Sequence, residues 1–418
     1  MQVSISDLFK VFGRIGLLSF GGPAAQISLM QTELVDKRSW LSDKQFLRAL
    51  SFFMLLPGPE AMQLATYAGW RLHGVLGGLL AGLLFVIPGA TIILALGFGY
   101  ALYGDLPLVK AAFVGIKAAV VIIVFQALLR LAKRTLNGAL PRVLAGVAFV
   151  AIFFINIPFP LIIACAALIG FILMSENDAD IEEKPAVYVK PANTLRTALL
   201  WGTIWAIPML GLWVSGSTLL LDLAVFFSKL AVVTFGGAYA VLAYMTQEIV
   251  HGFEWLSTDQ MIDALGLAET TPGPLILVTE FAAFLTGFLQ GGPWLAVGAA
   301  GVTLWVTFVP CFLWIFTAAP YVDALASRPR LKGALNAISA SVVGVILNLA
   351  VWFTLNVLFS APKEVSNIDL SKLSSMSVIL IAVAGVLLAA HRVPLVIGLI
   401  FMAIIAVGFD HLATMLPL

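Results

Sequence analysis

The chain has 418 residues, 61% hydrophobic and 11% charged, with a formal net charge of +1. Soluble domains carry roughly 45–50% apolar and about 25% charged residues, so a water-soluble fold is excluded, and the balanced charge offers nothing to nucleic acid. Long continuous apolar runs without period-two alternation exclude a closed barrel and leave membrane-spanning helices.

The N-terminus is interrupted by Asp7, Lys10 and Arg14 and reads as an amphipathic lead-in rather than a secretory signal. Apolar segments follow near 12–33, 44–72, 74–103, 108–131, 141–157, 158–174, 195–214, 219–246, 259–287, 293–317, 332–358, 375–391 and 393–414. The acidic, proline-containing stretch 175–194 reads as a solvated linker. Cys165 and Cys311 fall in apolar runs and are expected as free, buried thiols.

The linker separates two related halves. Phe12–Pro59 aligns without gaps onto Phe227–Pro274 at an offset of 215, with 17 identities in 48 positions. Phe20-Gly21-Gly22 matches Phe235-Gly236-Gly237, Trp40-Leu41-Ser42 matches Trp255-Leu256-Ser257, and Pro57-Gly58-Pro59 matches Pro272-Gly273-Pro274. Equivalent loops differ in charge. Residues 33–48 carry Lys37, Arg38, Lys44 and Arg48 against Glu33, Asp36 and Asp43, whereas 248–263 carry four acids and no Lys or Arg. Since basic loops stay cytoplasmic, the halves are expected to be inverted. The predicted fold is therefore an all-α polytopic membrane protein of two homologous, inverted repeats with broken helices and about 13 hydrophobic segments. Residues 1–174 form the first repeat, 175–194 the linker, 195–218 a connecting transmembrane segment and 219–418 the second repeat.

Pro57-Gly58-Pro59 and Pro272-Gly273-Pro274 lie inside apolar segments. Two prolines around a glycine remove two backbone donors and stop a helix. The half-helix that restarts at Pro59 or Pro274 presents free N–H groups and partial positive charge, which suits an anion. Interrupted helices at matching positions of two repeats point to a transporter's central site. Gly21 and Gly22 permit an unwound turn or a close approach. Six residues before each Phe of these motifs stands a cation, Arg14 or Lys229, either helping to neutralise a dianion or snorkelling to headgroups. Glu60, directly after the first break, is explained by the helix dipole. Glu280, inside the apolar run 275–289, has no such explanation and is the best candidate for a protonatable coupling site. Lys117, in mid-segment, reads as a pore-facing cation or as the partner of an acid. No phosphate-binding loop, metal-ligand cluster or nucleophile elbow is present, so neither enzyme activity nor a metal or other cofactor is expected.

Ser19-Phe20-Gly21-Gly22-Pro23, Trp40-Leu41-Ser42, and Leu56-Pro57-Gly58-Pro59 followed by Gln63-Leu64-Ala65-Thr66-Tyr67-Ala68-Gly69-Trp70 resemble the chromate ion transporter (CHR) family, in its long two-domain form. The resemblance implies export of chromate, or of sulfate-like oxyanions, across the bacterial inner membrane by a secondary mechanism. Alternating access around the two breaks, driven by protons or membrane potential, is the expected mode. A passive anion channel, or a transporter of another small anion, is the competing reading. The anion and the bilayer are the expected partners, and a second copy of the chain is the one protein partner considered.

Overall fold

The computed structural model describes residues 3–54, 56–174, 191–235, 238–322, 329–359, 373–390 and 393–415. Helices account for the ordered elements, and no strand occurs among the described residues. The stretch 175–190 of the expected linker and the pair Gly236-Gly237 lie outside the described residues.

The first repeat opens with α1 (Ile5–Leu18), N-capped by the Ser4 hydroxyl, and α2 (Gly22–Gln31). Segment 12–33, expected as one span, is thus two short helices, because Gly21 and Gly22 take left-handed φ values of 86° and 78° that end α1 and re-aim the chain. A π-helical turn, Thr32–Asp36, leads to α3 (Asp43–Phe53), which a Ser42–Gln45 capping box starts. After the first break comes α4 (Glu60–Tyr103), then α5 (Pro107–Thr135), α6 (Ala139–Phe153) and α7 (Phe159–Leu173). Helix α8 (Pro191–Ser215) connects the halves and packs Trp201 against Phe312 and Phe316.

The second repeat uses the same parts: α9 (Thr218–Val233), α10 (Ala238–Gln247), a π-helical turn (Glu248–Gly252), α11 (Thr258–Thr270) behind a Ser257–Gln260 capping box, and α12 (Val278–Ala318). Segment 219–246 is therefore divided like its counterpart. Then follow α13 (Pro329–Phe359), α14 (Ser375–Ala384) and α15 (Leu395–Met415). The repeats agree in fine detail. Ser39 and Glu254, at equivalent positions, both have positive φ, and the Trp40 and Trp255 amides close the same turn onto Leu34 and Ile249.

Helices α4 and α12 are not straight. His73–Gly74 and Gly291–Gly292 leave helical geometry, and there the chain reverses. A Cβ on Gly69 would lie 2.2 Å from the Gly77 carbonyl oxygen, and one on Gly287 would lie 2.8 Å from the Leu295 carbonyl oxygen. Residues eight apart on a continuous helix stand about 12 Å apart, so each pair can meet only in a hairpin. The first arms, 61–69 and 278–287, are buried residue after residue. They are mostly apolar because they are enclosed all round, and their few polar side chains, Gln63, Thr66, Thr279, Glu280 and Thr286, are buried with them. Among the described residues, six helices are long and apolar enough to cross a membrane, with three shorter apolar ones besides. The 13 expected segments exceed that number in part because α4 and α12 each take in two of them, folded back at His73–Gly74 and Gly291–Gly292.

Helix pairing is reciprocal. Helix α5 of the first repeat packs on α14 and α15 of the second, while α13 packs on α6 and α7. Small residues permit these contacts: Gly115 lies against the Met402 backbone and Gly344 against that of Ala145. Cys311 is buried as expected, but Cys165 is exposed on α7, whose outward residues face the surroundings of the bundle.

Candidate functional site at the crossing of the broken helices

Each Pro-Gly-Pro break is tied to the residue just before the Phe-Gly-Gly motif of the other repeat. The Gly58 N–H donates to the Thr234 carbonyl, and the Gly273 N–H donates to the Ser19 carbonyl, each at 2.9 Å. Ser19 and Thr234 are equivalent residues, and their carbonyls are free because α1 and α9 end there. Gly58 and Gly273 have φ of 115° and 90°, which only glycine adopts without strain. Two glutamines reinforce the breaks. Gln26 Nε2 donates to the carbonyls of Ser19 at 3.2 Å and Gly273 at 2.6 Å, and Gln63 Nε2 donates to the Pro57 carbonyl at 2.6 Å. Gln63 Oε1 is buried without a partner.

The half-helix after the first break begins at Glu60 with Pro59 as N-cap, and no side chain caps it. Helix α2 likewise starts at Gly21-Gly22 without a side-chain cap. The second break differs from expectation. Leu275–Leu277 form a 3-10 turn and α-helical bonding starts only at Val278, so Glu280 lies in the first turn of α12 and shares the dipole that explains Glu60. Glu280 is 1% exposed, and its Oε2 has no partner among the described residues.

Beside the crossing lies a cavity of about 110 Å³ lined by Gly21, Ile123, Gln126, Arg130, Tyr239, Glu269, Leu388, Val393 and Leu395. Glu269 stands three residues before Pro272, and the Tyr239 hydroxyl donates to its Oε1 at 2.7 Å. Arg130 acts electrostatically on both of them, and Arg134, one turn on, acts on Glu60. Helix α5 thus brings a cation to each break. Both arginines belong to α5, which runs to Thr135.

The other singled-out residues divide. The Pro57-Gly58-Pro59 break meets the second repeat at Thr234, and the Pro272-Gly273-Pro274 break meets the first repeat at Ser19, two residues before Gly21-Gly22. Arg14 does not join them. It is exposed and lines a shallow outer groove with Phe9, Lys10, Gly13, Leu17 and Leu18, all from α1. Lys229 is likewise exposed, on α9, beside Tyr244. Both placements match snorkelling, since the buried faces of α1 and α9 are taken by Phe12, Ile15, Phe227 and Leu230. Lys117 is the partner of acids: its Nζ lies 2.7 Å from Asp259 and 3.4 Å from Asp263, and the Tyr100 hydroxyl donates to Asp263 at 2.7 Å.

The chromate transporter family profile matches residues 6–171 and 221–409, one stretch in each repeat. The chromate transport protein of Pseudomonas aeruginosa is 33% identical over 82% of this chain and 80% of its own length. The probable chromate transport protein of Synechococcus elongatus is 30% identical over 83% and 84% respectively. That of Cupriavidus metallidurans is 28% identical over 82% and 81%. No solved structure matches the chain. With both repeats matched and the helix breaks interlocked between them, the chain belongs to the chromate transporter family and is a multi-pass membrane protein.

Proposed function

We propose that this protein is a secondary transporter that exports chromate, and sulfate-like oxyanions of the same shape and charge, across the bacterial inner membrane. The observation that carries the reading is the exchange of hydrogen bonds between each Pro-Gly-Pro break and the helix end of the opposite repeat, at Thr234 and Ser19. The reading takes the uncapped helix starts at Gly21-Gly22 and Pro59 as the anion-facing groups, as in transporters with discontinuous helices. The halves, 1–174 and 219–418, are inverted repeats that rock about this crossing in alternating access. Arg14 and Lys229 act from the periphery, and Lys117 in the ion cluster that joins α5 to α11.

Coupling is carried by a carboxyl group at the crossing. Glu280 is enclosed with an unpartnered oxygen, where an uncompensated charge costs several kcal/mol and a proton removes it. Glu60 tunes affinity through the dipole of its half-helix.

Flux of chromate and sulfate in proteoliposomes, with pH and potential set separately, tests the reading. Transport that builds a gradient at the expense of pH or potential is expected. Passive equilibration alone would make the protein a channel. In cells, expression is expected to lower chromate accumulation, and increased accumulation would reverse the assigned direction.

A further inference from the structure

Arg130, exposed on α5, is a guanidinium without an acceptor among the described residues. Although Glu269 lines the same cavity, the two form no ion pair, and Arg130 makes no hydrogen bond among the described residues. An unpaired cation and an acid facing a shared space usually collapse onto each other. Here Tyr239 prevents it by holding Glu269 Oε1 at 2.7 Å from the α10 side. The resting cavity is therefore charge-balanced while its guanidinium stays open. Gln126, one turn before Arg130 on α5, adds an amide to the same wall. The space, about 110 Å³, is ample for a small oxyanion, given that a water occupies roughly 30 Å³.

Resting on the transport reading above, we propose that this cavity is the seat of the transported tetrahedral oxyanion: Arg130 and Gln126 bind it, and Tyr239 keeps Glu269 from quenching the guanidinium. Arg130 gives a planar fork that two oxygens of a tetrahedral anion can accept at once. Glu269 balances Arg130 when the cavity is empty and repels the bound dianion, which keeps the affinity low enough for release. Asp259 and Asp263, on the earlier turns of α11, are taken by Lys117. Tyr239 and Arg130 are thus the charged and titratable groups seen to act on Glu269.

Two readouts test this. One is chromate flux in proteoliposomes. The other is the shift of the thermal unfolding midpoint of the purified protein in lipid-free detergent, titrated with sodium chromate or sodium sulfate at pH 8. Arg130→Gln is expected to lose about tenfold or more in apparent affinity while unfolding at the wild-type temperature without anion, and Arg130→Lys to lose less. Glu269→Gln is expected to tighten binding by about threefold or more by removing the like charge. Tyr239→Phe, which frees Glu269 to pair with Arg130, is expected to weaken binding, and adding Glu269→Gln to it is expected to restore it. The opposite signs at Arg130 and Glu269 separate a binding role from a structural pair, which would weaken with either change. Should Arg130 serve lipid phosphates instead, Arg130→Gln would keep both its flux and its stabilisation by free anions, and the seat would lie elsewhere. A wild-type protein that moves no chromate would overturn the transport reading itself. Wild-type flux with an unaltered Arg130→Gln overturns only the assignment of this cavity.

Discussion

Lys117 is surrounded by acceptors, with Asp259 and Asp263 on α11 facing its ammonium and Tyr100 completing Asp263. At Glu280 the opposite holds, for Oε2 is buried with nothing to accept from. The two sites predict different mutant behaviour. Lys117→Met strands Asp263, which is buried, and breaking such a pair costs about 3–5 kcal/mol. A clear drop in the thermal midpoint is expected, with Asp263→Asn milder because Tyr100 and Lys117 keep an oxygen to bond. Glu280→Gln removes no partner, so the protein is expected to fold and bind anion normally while its transport loses pH dependence. A pH profile of flux unchanged in Glu280→Gln would assign the residue to packing. The sequence alone makes Glu280 stand out, because an acid in an apolar run has a cost to explain. It does not show the 3-10 turn that moves the helix start to Val278. Arg130 carries no such signal, because a basic residue near the end of an apolar run is ordinary, and only the packed helix shows that this exposed side chain borders the cavity.

At the scale of elements, the two kinds of break do different work. The Pro-Gly-Pro breaks are legible in sequence because proline's missing donor stops a helix wherever it occurs. The reversals at His73–Gly74 and Gly291–Gly292 are legible only as boundaries between adjacent apolar segments. That the arms fold back so closely follows from Gly69, Gly77 and Gly287, which read in sequence as ordinary membrane glycines. Gly89 shows the same dependence on tertiary structure. A Cβ there would lie 2.2 Å from the Pro272 carbonyl oxygen, so α4 of the first repeat presses directly on the second break. Overpacking of this kind costs about 1–3 kcal/mol, and the atom that must yield is backbone of the proposed site. Gly89→Ala is therefore expected to cut chromate flux severely with only a modest fall in the thermal midpoint. Gly99→Ala, on the same helix with open space beside it, is expected to transport normally. Pro59→Ala and Pro274→Ala are expected to impair both affinity and flux, by letting helix re-form across the crossing. Equal flux from Gly89→Ala and Gly99→Ala would show that the second break tolerates displacement.

For the whole molecule, the reciprocal packing of α5 on α14–α15 and of α13 on α6–α7 ties the halves together through exchanged partners, so neither repeat encloses its own long helix. Such an exchange is what a two-fold relation between repeats produces, and an axis in the membrane plane would also account for the charge of equivalent loops. In the first repeat Glu33 is buried between Lys37 and Arg38, and residues 33–48 hold four basic against three acidic side chains, Lys44 and Arg48 on α3 among them. At the equivalent positions α11 carries Asp259 and Asp263, turned onto Lys117. A loop with surplus basic charge resists translocation and one without it does not, so the two should emerge on opposite sides. Asp36 and His251 are equivalent, exposed and follow the same π-helical geometry, which makes them matched reporters. In a background with Cys165→Ala and Cys311→Ala, Asp36→Cys is expected to react with a membrane-impermeant maleimide only in inside-out vesicles. His251→Cys is expected to react only in right-side-out vesicles. Reaction of both from one side would mean parallel repeats, and the two breaks would then meet the anion from the same direction. Rocking one half against the other would no longer exchange the side to which the crossing opens, and alternating access would need a different moving part.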